Sequence, residues 1–338
     1  MNQKNKHLAI GGAIAAVAVV GWFALSSLAT NRAEESISAF LDEYGIRQNV
    51  QWESLSASPF GNVKIEKVSI RVSSEAEALR IEHIQLKDFT NTQDRKRIDL
   101  QLNGMSDAQG YSPLGNIDYI QAGGRANLPP LSVHVKWDMH LDDDEGQVEL
   151  LFNQPDSMLG GLAFELDKIS VLANLQQNIL AGSLSGMGMG MAERSLFGGH
   201  PILSAAQGVL ATLGEVRLKS LDANIKDEGH MARSIALYKR YSVNLSPTDS
   251  NPGKARDKKF KEEIKSGLKA CQAEASNTFK GVPKAKYSCE AILDFASGES
   301  RHLTLKAKPT QPVSMLALFQ TAMSRPERAV VLMKPIFD

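Results

Sequence analysis

The chain has 338 residues, and its 38 lysine and arginine residues are balanced by 38 aspartate and glutamate residues. This balance gives no overall basic signal and argues against nucleic acid as a partner. Apolar residues make up 43% of the chain, enough for a sizeable core, and the length predicts one large or two smaller folded units.

An apolar stretch without a charge occupies residues 8–29. At about 1.5 Å per helical residue it reaches roughly 33 Å, enough to cross the hydrocarbon core of a bilayer. Lys4 and Lys6 precede it, which by the positive-inside tendency keeps residues 1–7 in the cytoplasm. The sequence predicts a single-pass transmembrane anchor over residues 8–29, with the rest of the chain on the other side.

A cleaved secretory signal is the alternative, because Ser27, Leu28 and Ala29 resemble a small-x-small cleavage site. The apolar stretch is longer than the ~7–15 residues of a signal core, which favours the retained anchor. Both interpretations place residues 30–338 outside the cytoplasm. We expect Cys271 and Cys289 to form a disulfide there, with two unrelated buried thiols as the alternative.

Residues 30–245 predict a β-rich domain that begins with a short helix at residues 31–45. Four segments share one pattern, in which two consecutive polar residues interrupt an apolar alternation; they span residues 63–70, 79–86, 164–171 and 216–223. Two polar residues in a row would turn the apolar set to the other face, and a β-bulge restores it and bends the strand. The pattern favours a curved sheet over a chance resemblance among irregular strands.

A long antiparallel hairpin is predicted from the strict alternation of apolar and polar residues over 131–141, followed by an acidic tip and a second strand over 147–150. The tip lacks the spaced ligands of an EF-hand, so a solvated turn is favoured over a calcium loop. His134 and His140 share a face but lie about 20 Å apart at strand rise, too far to hold one metal ion. We expect no metal and no cofactor.

Residues 182–200 are rich in glycine, and three glycines alternate with Met187, Met189 and Met191. The alternation predicts a strand with one thioether face, for which three roles remain open. They are packing, a surface for an apolar ligand, and a copper or haem ligand set. A helix is predicted to follow over residues 201–213.

Residues 235–245 read as a strand, residues 246–256 as a linker, and residues 257–338 as a helix–hairpin–helix subdomain. Cys271 lies on its first helix, and Cys289 is placed at the start of a strand. The hairpin is expected to pair residues 291–295 with 303–307, and two helices over 312–323 and 326–334 to close the chain. Ser324 and Glu327 stand at capping-box spacing before the second of these helices.

The first helix of this subdomain carries a run of lysines. It would contact anionic headgroups or simply form a solvated helix face. The headgroup candidates are Lys258, Lys259, Lys261 and Lys265.

Signatures of zinc proteases, serine hydrolases, P-loops and dinucleotide sites are not found in the sequence, so it predicts a protein that is not an enzyme. His200 is the one histidine whose loop setting suggests chemistry, and a position at a helix start explains it.

The order of anchor, short helix and the stretch WESLSASPFGNVKIEKVSIR, within residues 8–89, resembles the start of bacterial AsmA-like envelope proteins. The resemblance implies a bitopic inner-membrane protein whose periplasmic curved sheet holds an apolar groove and takes part in moving lipids. Nine residues are groove candidates: Ile65, Val68, Ile81, Ile84, Leu166, Ile169, Met187, Met189 and Met191.

The fold class expected is α+β, with an N-terminal transmembrane helix followed by a mostly antiparallel, curved β-sheet domain and flanking helices. The expected function is a periplasmic module that binds or shields apolar ligands such as lipid chains. A non-enzymatic assembly or secretion scaffold that binds other envelope proteins is the alternative.

Overall fold

The structure, a computed structural model, describes residues 38, 42, 47–58, 62–71, 78–113, 124–125, 127–171, 214–245, 250–277 and 282–338. The predicted anchor, most of the helix at 31–45, the glycine- and methionine-rich segment and the helix at 201–213 lie outside these residues. None of the helices described is long and apolar enough to span a membrane.

An open, curved sheet of twelve strands organises the described residues, and every strand pair in it is antiparallel. The main path is β1-β3-β4-β5-β6-β7-β8-β9-β10-β12, while β2 pairs with β3 and β11 pairs with β9. The strands are β1 Val50–Gln51, β2 Ser54–Ala57, β3 Val63–Ile70, β4 Leu79–Asn91, β5 Arg95–Met105, β6 Leu131–His140, β7 Glu145–Gln154, β8 Met158–Asp167, β9 Arg217–Asp227, β10 His302–Ala307, β11 Val313–Ser314 and β12 Ile336–Phe337.

Five α-helices follow β9 or alternate with the last strands: α1 His230–Tyr241, α2 Pro252–Asn277, α3 Ala285–Ser297, α4 Met315–Ser324 and α5 Pro326–Met333. Helices α1 and α2 make their main contacts with each other and with α3, while α3 lies against β10 and β12. The α+β class, the antiparallel sheet and its curvature are therefore confirmed.

The β6–β7 hairpin is confirmed, with unbroken register from Ser132 paired with Asn153 to His140 paired with Glu145. The turn between the strands is stabilised by Asp144, whose Oδ1 accepts a hydrogen bond from the Ser170 backbone N–H at 2.7 Å. The strict alternation of the sequence sets this register, because a slip of one residue would expose the whole apolar set.

The four polar pairs predicted to form bulges, at residues 66–67, 82–83, 167–168 and 219–220, are accommodated in different ways. Lys219 is an extra residue in β9, and the register with β8 shifts beside it, as a β-bulge requires. Lys67 instead takes a left-handed conformation, with φ of 51°, while β3 and β4 keep one register. The pair at 167–168 ends β8, since Lys168 also has a positive φ of 56°.

The pair Glu82 and His83 keeps its register in β4, and the distortion falls on the neighbouring strand. There β5 shifts register against β6 between Leu102 and Met105, and Gly104 has a φ of 68°. A bulge is therefore confirmed for one of the four polar pairs. The bends at 67 and 168 come from single left-handed residues instead.

The segment predicted as a strand at 235–245 is mostly helix α1, so that prediction is wrong. Residues 291–297 belong to helix α3 and not to a hairpin strand, while 303–307 form β10, which pairs with β9 and β12. The error has a physical reason: Gly298, with φ of 77°, ends a helix where a hairpin turn was expected.

The disulfide between Cys271 and Cys289 is present, with a Cα–Cα distance of 5.9 Å. It joins helix α2 to helix α3, so the prediction that it joins a helix to a strand is wrong. Residues 252–256 of the predicted linker are the first turn of α2, because Pro252 opens the helix and the Asn251 side chain caps Lys254 N–H at 3.1 Å.

The two helices that close the chain are confirmed as α4 and α5. The predicted capping box is not formed. The hydroxyl of Ser324 donates to the Gln320 carbonyl within α4, and Arg325 takes the N-cap position of α5.

Candidate apolar binding face

One face of the sheet carries three apolar rows that run across the strands. Residues paired in register on neighbouring strands point to the same face, and so do residues two apart on one strand. The first apolar row is Ile65, Ile84, Leu102, Val133, Phe152, Gly160, Ile225 and Leu303; the second is Val63, Leu86, Leu100, Val135, Leu150, Leu162, Ala223 and Leu305; the third is Ile98, Trp137, Val148, Phe164, Leu221 and Ala307.

These rows define what we call the apolar face. The second apolar row crosses eight strands, which at ~4.8 Å per strand spacing makes it about 34 Å long. The first and third rows lie four residues apart along each strand, or about 13 Å. The face is therefore long and narrow.

Burial changes along the second apolar row. Val63, Leu86 and Leu100 are at most 3% exposed and belong to the first core cluster. From β6 to β10, Val135, Leu150, Leu162, Ala223 and Leu305 are all only half-buried. The same row thus passes from a closed core into a region whose side chains retain accessible apolar surface.

Each end of the apolar face is packed by a different part of the chain. Trp52 and Leu55 pack on the first core cluster, beside β3 to β6. A second core cluster, which includes Leu166, Ile169 and Leu218, is covered by Met315 and Leu318 of α4 and Met333 of α5. In the half-buried part of the second row, Val135 and Leu150 pack against the first core cluster, and Leu162, Ala223 and Leu305 continue the row over β8 to β10.

Gly160 makes room for an aromatic ring on the first apolar row. A Cβ at this position would lie 2.3 Å from Phe152 Cζ, so the Phe152 ring occupies the space above the glycine. An aromatic side chain from β7 thus covers the bare glycine backbone of β8.

The opposite side, which we call the polar face, is held by ion pairs. Arg95 binds Asp138 through two hydrogen bonds, Nε to Oδ1 at 2.9 Å and Nη2 to Oδ2 at 2.6 Å. These bonds lower the pKa of Asp138 and raise the pKa of Arg95. His134 Nε2 lies 2.7 Å from Asp99 Oδ1 on the same face.

A cleft of about 370 Å³ lies on the polar face, and half of its lining residues are charged. Lys136 pairs with Glu149 across it at 3.1 Å. Near the hairpin tip, ligand atoms of His140, Asp142 and Asp143 lie within 4.8 Å of one another and could hold a cation, but all three are solvent-accessible.

The groove candidates identified from the sequence divide into three groups. Val68, Ile81, Leu166 and Ile169 are buried core residues, with exposures of 3%, 0%, 8% and 0%. Ile65 and Ile84 are half-buried and form the β3–β4 end of the first apolar row. The third group, Met187, Met189 and Met191, lies outside the described residues.

The four lysine candidates lie on helix α2. Lys258 is exposed and stands 4.0 Å from Glu262, and Lys259 Nζ donates to the Asn244 carbonyl at 2.5 Å. Lys261 and Lys265 are exposed. Three of the four ammonium groups are therefore on a solvated helix surface, and the fourth helps to hold α2 against the end of α1.

The half-buried residues of β6 to β10 were not among the candidates from the sequence. Their alternation was recognised on β6 and β7, but a row across strands depends on register with β8, β9 and β10. The signal that could have found them is the shared apolar alternation of residues 146–152, 160–166 and 221–225.

Comparison of the chain with protein-family models and with curated protein sequences finds no match.

Proposed function

We propose that this protein is a membrane-tethered, non-enzymatic module that binds or shields apolar chains, such as lipid tails, on its apolar face. The observation that carries the proposal is the second apolar row, which is closed at one end and half-buried over β6 to β10. Removing apolar surface from water is favourable by about 25 cal/mol per Å², before the cost of ordering the bound chain, and a long, narrow apolar strip suits an extended chain.

The predicted anchor at residues 8–29 supports a membrane setting for this module. In the proposed arrangement the N-terminus is cytoplasmic and the bulk of the chain lies in the periplasm of a bacterium. The disulfide fits an oxidising compartment. The resemblance of residues 8–89 to AsmA-like proteins points in the same direction, towards envelope lipid homeostasis.

The test is site-specific photocrosslinking of the full-length protein in its native membrane. A photoreactive amino acid is placed at Leu150 or Leu162 on the apolar face, and at Leu151 or Ala163 on the polar face as matched controls one residue away. We expect lipid adducts from the first pair and not from the second. Lipid adducts of equal yield from both faces, or from neither, would reject the proposal.

An assembly scaffold is the second candidate, favoured by tyrosines on the helices beyond β9. Tyr241 is 61% exposed on α1 and Tyr287 is 49% exposed on α3. Exposed tyrosines are enriched at protein interfaces. In the same experiment, crosslinks from Tyr241 or Tyr287 to another protein, with no lipid adducts at Leu150, would favour the scaffold.

A further inference from the structure

An exposed apolar surface lies on the two helices that close the chain. Met323 of α4 is 75% exposed, and Val331 and Leu332 of α5 are 39% and 42% exposed. The two helices pack on each other, and Arg325 is the single residue between them. We call these three apolar side chains, together with Arg325 and Arg328, the α4–α5 patch.

Helix α5 is amphipathic in an unusual way. Ala329 and Met333, four residues apart, are both buried, so they form its inner face. Arg328, Val331 and Leu332 stand at i, i+3 and i+4 and share the outer face, where all three are exposed. The outer face of a solvated helix is normally polar, so two adjacent apolar side chains beside an arginine call for a partner surface.

The charges of the patch indicate an anionic partner. Arg325 and Arg328 are exposed, and neither forms an ion pair with a residue in the described ranges. Residues 325–334 hold three basic residues and one acid, Glu327, which leaves a net charge of +2. Exposed cations beside exposed aliphatic side chains are the composition of helices that lie in a membrane interface.

The size of the patch favours a bilayer over a protein partner. Three side chains of this size cannot supply the roughly 1,200 Å² that a stable protein–protein interface buries. A weak contact is enough for a bilayer, because the predicted anchor at residues 8–29 would keep that surface within reach. Such tethering makes docking intramolecular and raises its effective concentration.

We propose that the α4–α5 patch docks on an anionic bilayer surface. The three apolar side chains enter the boundary between headgroups and acyl chains, and the two arginines bind lipid phosphates. Met315 and Leu318 of α4 also cover the second core cluster, so docking holds the adjoining end of the apolar face near the bilayer. Docking requires no lipid on the apolar face, so it can hold or fail independently of the function proposed above.

The experiment places an environment-sensitive dye on the patch. The full-length protein is reconstituted into vesicles of equal parts phosphatidylcholine and phosphatidylglycerol, with spin-labelled lipid as the quencher. The dye is attached at Met323→Cys, or at Asp143→Cys on the exposed hairpin tip as the matched position, while the two native cysteines are held in the disulfide. We expect blue-shifted, quenched emission from residue 323 and neither effect from residue 143.

Paired substitutions test the role of the two arginines. Each basic residue near an anionic surface strengthens binding roughly fivefold, so Arg325→Gln with Arg328→Gln should lower the ratio of docked to undocked protein roughly twentyfold to thirtyfold. Arg240→Gln with Lys261→Gln removes two exposed cations from α1 and α2 and should leave this ratio unchanged. Because all four side chains are exposed, the thermal midpoints should stay equal, which separates a loss of docking from a loss of folding.

Three results would overturn the proposal. They are no quenching at residue 323, equal quenching in vesicles of phosphatidylcholine alone, and equal docking of the two paired variants. A photocrosslink from residue 323 to another protein in the native membrane, without quenching in vesicles, would assign the patch to a protein partner and overturn it as well.

Discussion

At Gly160 of β8 the apolar face is covered by the Phe152 ring from the paired strand β7, which occupies the place that a side chain at residue 160 would take. The same residue approaches the next strand closely, since a Cβ there would lie 3.2 Å from the Asn224 carbonyl oxygen. Gly160 on the apolar face and Asp138 on the polar face each allow a direct test at the scale of a single residue.

Gly160→Ala should destabilise the protein by about 1–3 kcal/mol, because the Phe152 ring must leave its position to avoid the new methyl group. In a Phe152→Leu background the same substitution should cost less, since the ring atoms it meets are gone. The measurement is the thermal unfolding midpoint of all three variants. Gly253→Ala is the control, and it should leave the unfolding midpoint unchanged, because its Cβ would meet only Asn251 Oδ1 at 3.7 Å. Additive effects of the two substitutions would contradict the proposed contact.

Asp138 of β6 binds Arg95 and Arg97 of β5 on the polar face, and its effect on stability should depend on pH. Arg95 holds the pKa of Asp138 below its ordinary value of about 3.9. A lowered folded pKa contributes stability that is complete above about pH 4 and is lost as the pH falls through the folded pKa. Asp138→Asn should therefore be less stable than the wild type at pH 7, and the difference should shrink below about pH 4.

The measurement for this prediction is the unfolding midpoint of both proteins between pH 7 and pH 2. Asp143→Asn, at the exposed hairpin tip, is the matched control and should follow the wild type. A destabilisation of Asp138→Asn that stays constant down to pH 2 would show that the carboxylate charge is not its cause.

At the scale of elements, helix α2 depends on its neighbours. It has 26 residues, of which only Phe260 and Ala275 are buried. Tyr238 of α1 packs edge-on against Phe260 with ring centroids 6.0 Å apart, and Gln272 donates to Glu290 of α3 at 3.0 Å. Helices α2 and α3 also pack along each other, and the disulfide adds a covalent link between them.

Replacing both cysteines, as Cys271→Ser with Cys289→Ser, should loosen α2 and α3 while the sheet is unaffected. The bridged residues are 18 apart, and closing a loop of this length contributes about 3 kcal/mol in the chain-entropy model. Hydrogen exchange of the full-length protein should show faster exchange in α2 and α3 and unchanged protection in β5 to β8. Equal loss of protection in the sheet would mean that the helices and the sheet unfold as one unit.

At the scale of the whole molecule, one sheet joins the two ends of the described chain. Strand β10, from the region predicted as a separate C-terminal subdomain, pairs with β9 over residues 302–307, and α4 and α5 cover the second core cluster. The C-terminal region therefore closes one end of the apolar face.

Local patterns predicted the parts of this architecture that depend on local physics. The β6–β7 hairpin follows from alternation, and the disulfide follows from cysteine count and compartment. Residues 291–297 were misassigned because Ala291, Leu293 and Phe295 fit both a strand and a helix face, and only the contacts with α2 and β12 decide between them. The apolar rows needed register between strands that are distant in sequence, which no local pattern contains.

Filling the half-buried row should reduce lipid binding without unfolding the sheet. Ala223 lies on the second apolar row between Leu162 and Leu305, whereas Ala163, on the neighbouring strand, points to the polar face. Ala223→Leu adds bulk where the proposed chain lies, and Ala163→Leu adds the same bulk on the other side. Thermal midpoints of both variants check that each is folded.

Native mass spectrometry of the full-length protein, extracted in a mild detergent, is the most direct test of the proposed apolar face. The wild type and Ala163→Leu should carry lipid-sized adducts, and Ala223→Leu should carry clearly fewer. A folded wild-type protein without any lipid adduct, or equal adducts on all three proteins, would contradict a lipid-binding role for this face.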